Sequence, residues 1–195
     1  MTIYMVQHAF SRPDWEEEWN VWYGGNLKVL MSVPGFRTGQ RFKALDGPPP
    51  RYMAVYTVDS PDVFESKRYA DAGGGGTNSQ RFRPAYQVWI RNLFEGIDAA
   101  PEIRDGEYLV SVDSNARDLD VPGVELTWLE STGFHKTTPY RGVGVAKRNQ
   151  AQTLRKIGNV TLYRPITAQL LSLVQMGDNP CAPQISPRPP GEGRG

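Results

Sequence analysis

Few residues in this chain can move a proton at neutral pH: two histidines, His8 and His135, with one cysteine, Cys181. An unperturbed imidazole titrates near pH 6.5, which makes it the side chain best tuned for acid–base work. His8 closes a short β-prone run, residues 2–8, and shares a strand face with Tyr4 and Val6. The competing role is a strand-end histidine bonded to a loop. His135 lies in Gly133-Phe134-His135-Lys136, a turn in which plain solvent exposure is the alternative. Two histidines facing one cavity would form an acid–base pair.

Groups able to hold a ligand stand around them. Asn26 follows Tyr23 by three residues and Trp22 by four, so all three share one helical face. A buried amide must be hydrogen-bonded, so Asn26 either satisfies a backbone group or points at a ligand. Trp22 and Tyr23 are core residues or pocket walls. Gln87, Trp89 and Arg91 share one strand face, and Tyr86, Val88 and Ile90 share the other. The second set suits a helix-covered core. The first suits a polar lumen, where Arg91 can grip a carboxylate or enolate through paired hydrogen bonds. Arg37 and Arg41 share a face of another strand, with a water-facing edge as the alternative. Tyr140, followed by Arg141, and Glu130, on one strand face with Trp128, complete the candidates. Glu130 is a base only if desolvated and otherwise an exposed ion-pair member.

The elements that position these groups follow from pattern and punctuation. After the first strand, Pro13 and the acids Asp14 to Glu18 signal a helix start. Trp15, Trp19, Trp22, Tyr23, Leu27 and Leu30 then mark one helical stripe, ended by Val33-Pro34-Gly35. Gly24-Gly25 predict a local break or close packing midway, at about 1 kcal/mol each relative to alanine. Residues 36–45 and 51–59 read as strands joined by a proline-rich turn, the second apolar on both faces. Ser60-Pro61 starts a second helix reaching about Ala70, and 73–79 reads as a flexible loop before a strand over 85–94. The order β-α-β-β-α-β is the split βαβ, or ferredoxin-like, plan.

The second half restarts with strands over 107–113, 124–130 and 140–147, a short helix over 149–157 and a last strand from 159. Sliding the chain along itself places 33–60 on 121–148, with Val-Pro-Gly on Val-Pro-Gly and Tyr52 on Tyr140. Between Asp113 and Val121 there is no room for a counterpart of the first long helix. The expected organisation is therefore α+β: residues 1–100 as one ferredoxin-like half, 101–174 as a trimmed second half, their antiparallel sheets making a barrel. Residues 175–195, rich in proline and glycine, are expected to be disordered or extended, which gives Cys181 little prospect as a catalytic thiol.

Composition narrows the function classes. Over 195 residues, 22 Lys and Arg nearly cancel 21 Asp and Glu, which argues against a nucleic-acid binder. No apolar run approaches the ~20 residues of a membrane helix, and the start has no secretory pattern. A single cysteine makes no internal disulfide. The expectation is a soluble, cytoplasmic, globular protein with no nucleic-acid or membrane partner. Gly73 to Gly76 lack the Lys-Ser/Thr ending of a phosphate loop, and no zinc cluster, nucleophile elbow or dinucleotide fingerprint is present, so no metal site is expected.

The first hundred residues resemble the EthD-like branch of the dimeric α+β barrel superfamily. The resemblance rests on WEEEWNVWYGGNLKVLMSVPGF, then RTGQRF, then PRYMAVYTVDSPDVF and RPAYQVWIRNLFEG. Family helices often carry a histidine shortly after the Trp-Tyr pair; here Asn26 takes that place, so no family histidine transfers. The resemblance implies a site inside the barrel or between helix and sheet. It also implies relatives that isomerise lactones, cyclise polyketides, oxygenate aromatics or bind haem. From this come the functional expectations: a cofactor-independent lyase, isomerase or cyclase acting by histidine proton transfer on a small aromatic or cyclic substrate. His8 and His135 would be catalytic, with Trp22, Tyr23, Asn26, Arg41, Trp89, Arg91 and Tyr140 binding substrate. The alternative is a non-catalytic binder of a small molecule or haem. A complete internal barrel would let the chain stand as a monomer, whereas apolar sheet surface left by the trimmed half would be covered in a homodimer, the favoured expectation.

Overall fold

The computed structural model describes residues 1–174; the proposed tail over 175–195, with Cys181, lies outside the described residues. Eight antiparallel strands close on themselves, in the order β3-β1-β4-β6-β7-β5-β8-β2, with β2 pairing back to β3. They are β1 (Thr2–Phe10), β2 (Phe36–Ala44), β3 (Tyr52–Val58), β4 (Tyr86–Glu95), β5 (Glu107–Ser114), β6 (Thr127–Phe134), β7 (Tyr140–Lys147) and β8 (Val160–Pro165). A two-residue strand, β9 (Leu170–Leu171), adds to β2 outside the ring. Closure removes the exposed sheet edges that would otherwise invite pairing with another chain.

Helix α1 (Pro13–Leu30) lies on the outer face of β1, β2 and β3, and its stripe Trp19, Tyr23, Leu27 and Leu30 is buried there. It runs unbroken through Gly24 and Gly25. A side chain at either position would meet nothing within 4 Å, so the expected break or close packing is absent. The second helix is not continuous. A 3-10 turn over Pro61–Glu65, started by Ser60 accepting from the Asp62 amide, is broken at Ser66 before α2 (Lys67–Asp71). Segment 73–79 is no open loop. It forms 3-10 turns that continue to Ala85 and lie against the outer sheet face, with Gly75 and Gly76 left-handed.

Two apolar cores share the sheet of the first half. One, under α1, holds Tyr4, Val6, Trp19, Tyr23, Tyr56 and Phe36. The other is the barrel lumen, with Ile3, Met5, Phe42, Val55, Phe94, Leu129 and Tyr163. A third core covers the outside of the second half, where α3 (Arg148–Leu154) and segment 119–126 pack on β5, β7 and β8. The chain thus covers this outer face of the second half with its own residues.

Candidate functional site

The lumen is filled by side chains. Near Ile3, Met5 and Phe42 its free space is about 10 Å³, about one water. The charge inside it is Arg141, whose guanidinium is bidentate to Asp113 (2.6 and 2.9 Å), contacts Met5 Sδ at 3.4 Å and lies 5.2 Å from the Phe94 ring centroid. Sequence reasoning noted Arg141 only as the neighbour of Tyr140. Its partner Asp113 lies 28 residues away and is visible only as its cross-strand mate.

The expected faces of β4 are reversed. Arg91 pairs across from Val6 and Trp89 from His8, which places both on the outer, α1-covered side. Asn92 and Phe94 take the inward side, across from Met5 and Ile3. A register shift between Ala9 and Phe10 brings Tyr86 to the side of Trp89.

On that outer side, α1, the sheet and the turns of Gly73–Ser79 line a cavity of about 50 Å³ that is partly open to solvent. Its walls include His8, Trp22, Tyr23, Asn26, Trp89 and four further tyrosines, Tyr4, Tyr56, Tyr69 and Tyr86. The glycines are needed for closure: a Cβ on Gly74 would lie 2.4 Å from the Tyr69 ring, and one on Gly76 3.1 Å from Trp89. Asn78 Nδ2 donates to Asn26 Oδ1 at 2.6 Å and the Gly75 amide to the Tyr69 hydroxyl at 3.0 Å, tying this wall to α1 and to the turn before it. Asn26 lines the cavity, and the group it satisfies is the Asn78 side chain rather than the backbone group foreseen.

His8 is 4% exposed, set among the rings of Trp19 (5.5 Å), Tyr23 (5.5 Å) and Tyr86 (5.0 Å). Burial, and then the charge of Arg41, push its imidazole down to about 3, so it is neutral throughout the physiological range. The ordinary value expected from sequence does not survive this packing. The Tyr56 hydroxyl is buried and approaches the Tyr23 hydroxyl, without a well-formed hydrogen bond among the described residues. Burial raises Tyr56 and Tyr4 well above the usual phenol value and Tyr23 to about 12, so all three remain hydrogen-bond donors. The site therefore offers a neutral imidazole beside phenolic donors, walled by aromatic rings.

Several expected members lie elsewhere. His135 is exposed; its Nδ1 accepts from the Arg91 amide (3.2 Å) and its own amide donates to the Arg91 carbonyl (2.9 Å). It pins a turn in which Phe134 and Lys136 are left-handed and does not line the cavity of His8. Tyr140 lies outside the cavity beneath the Arg117 guanidinium, and Glu130 forms the exposed ion pair with Arg117. Arg41 sits under α1, stacked 4.1 Å from the Tyr23 centroid, behind the cavity wall. Arg91 is sandwiched between Trp89 (4.8 Å) and Phe134 (4.7 Å), at the margin of the cavity.

Tyr4, Tyr56, Tyr69, Tyr86, Asn78 and the glycine run went unrecognised in the sequence. The signal for two of them was present, since Tyr4 alternates with Val6 and His8, and Tyr56 follows Tyr52 at even spacing. Among the described residues no group of three or more His, Cys, Asp or Glu could hold a metal ion, and no helix is long and apolar enough to cross a membrane.

No family model and no curated protein matches the chain. Solved structures do. An anthrone oxidase-like protein superposes with a TM-score of 0.57 at 12% identity, covering 88% of this chain and 93% of that one. A monooxygenase-like protein from Lactobacillus acidophilus NCFM gives 0.53 at 10% identity, covering 88% and 96%. With the closed antiparallel barrel, these likenesses show a shared α+β barrel fold.

Proposed function

We propose that this α+β barrel chain is an enzyme that binds a small aromatic or cyclic molecule in the cavity between α1 and the sheet, and transfers a proton there. The observation that carries the reading is one half-open space that the neutral, buried imidazole of His8 shares with the neighbouring hydroxyls of Tyr56 and Tyr23. A neutral imidazole keeps its lone pair free to accept. The proton would come from a C–H beside a carbonyl or from a phenolic O–H. The oxyanion left behind would take a hydrogen bond from Tyr56, with Tyr23 as a second donor. An imidazolium formed next to that anion is stabilised by it, which offsets the depressed resting basicity of His8. Trp22 and Trp89 supply flat apolar walls for a planar ligand. Enolisation of this kind is the shared step of lyase, isomerase and cyclase chemistry. We read the strands of 1–100 and 101–174 as two ferredoxin-like halves, because each set of four neighbours follows the same order.

A haem does not fit this site: His8 is 4% exposed and enclosed by the rings of Trp19, Tyr23 and Tyr86. No step is routed through one.

The test is deuterium uptake at the carbon beside the carbonyl of 1-tetralone, followed by NMR in heavy water. The chain should accelerate uptake and His8→Gln should abolish the acceleration. Equal rates with and without His8 would overturn the assignment.

A further inference from the structure

A second recess lies along α1, facing away from the His8 cavity walls and open to solvent. It is a groove of about 580 Å³, within the size range of small-molecule sites, between the first turns of α1 and the seam where β2 meets β8. Its floor carries three cations. Lys43 and Arg164 are directly paired across β2 and β8, an arrangement of like charges that destabilises a sheet unless something negative lies over it. Arg41 stands two residues from Lys43 on the same strand face and is 3% exposed.

No described carboxylate reaches Arg41. Its guanidinium donates to the Asn20 carbonyl at 3.1 Å and to Asn20 Oδ1 at 2.7 Å, and rests on the rings of Tyr23 and Trp19. A buried cation held only by neutral acceptors is costly, and an anion within reach repays that cost. Lys43 is met by Glu16 at 2.6 Å, and Glu17 stands on the opposite wall. Three cations against two carboxylates leave one positive charge, which fits a monoanion. Val21, which is 74% exposed, and Ile166 add apolar wall.

We infer that this groove is a binding site for a small monocarboxylate with an apolar body, held by Arg41 and Arg164. It is separate from the cavity of His8 and does not depend on the reaction proposed there.

The test is titration of the full chain with benzoate, followed by amide chemical shifts. Benzoate should saturate, moving the signals of Lys43, Arg164 and Thr167, while benzylamine should not bind. Arg164→Gln, at an exposed position that leaves the fold intact, should weaken benzoate by about tenfold, as expected for one charge-assisted hydrogen bond. Absence of saturable binding, equal binding of benzylamine, unchanged affinity in Arg164→Gln, or shifts confined to Gly74–Gly76 would each overturn the inference.

Discussion

The rings of His8 and Tyr23 meet edge to face, 5.5 Å apart at 86°, and this contact joins the first strand to the long helix at the cavity wall. It makes the helix part of the site rather than a cover for it. Tyr23 in turn carries Arg41 on its outer side, so a charge that never enters the cavity still acts on the imidazole within it.

The first prediction concerns stability against pH. His8 has a folded value of about 3, below its unfolded value near 6.5, so the unfolded chain binds the extra proton. Its stabilising contribution is complete above pH 6.5 and is lost as pH falls towards 3, by up to about 1.4 kcal/mol per pH unit. The difference in unfolding free energy between wild type and His8→Gln should change with that slope across the window and level off above it. A flat difference would contradict the burial described for His8.

Tyr56→Phe separates stability from function. The Tyr56 hydroxyl makes no well-formed hydrogen bond beyond its approach to Tyr23, so its removal should change the unfolding free energy by no more than about 1 kcal/mol in denaturant. The same variant should lose tetralone exchange, because the oxyanion loses its donor. A less stable protein with full exchange activity would refute both halves of the assignment.

His135→Ala should leave tetralone exchange within about twofold of wild type, since its ring serves the Arg91 amide outside the cavity. A modest loss of stability, about 1 kcal/mol for one hydrogen bond, should show in thermal unfolding. A large drop in exchange without unfolding would restore His135 to the catalytic set.

Gly74→Ala would drive a methyl group to 2.4 Å from the Tyr69 ring, and the wall must shift to admit it. The variant should fold with a loss of about 1–3 kcal/mol and bind 1-tetralone more weakly than wild type. Unchanged affinity would mean that this wall does not bound the ligand.

Much of the frame could be read from the chain because its signals are local. The stripe Trp15 to Leu30 has a helical period, and the strands at 36–44, 52–58 and 140–147 are bounded by strong turn residues. The site was less legible, for identifiable reasons. Alternation along β4 separates Trp89 and Arg91 from Asn92 and Phe94 but does not say which side a helix will cover. Three left-handed glycines in 73–76 look like a linker, because a chain that closes on Tyr69 and Trp89 needs the same missing side chains as a flexible one. His8 was found, but its basicity depends on Arg41 from another strand and on rings from α1, which no local pattern carries. Arg141 has no sequence neighbour to reveal its partner, since Asp113 reaches it only through the pairing of β5 with β7.

The most direct test of the central claim is the nitrogen-15 spectrum of the His8 ring across pH, with and without saturating 1-tetralone. A neutral ring from pH 8 down to at least 5, whose nitrogen shifts change when the probe binds, is the predicted result. A ring that titrates near 6.5 and ignores the probe would contradict a buried, neutral histidine facing the ligand.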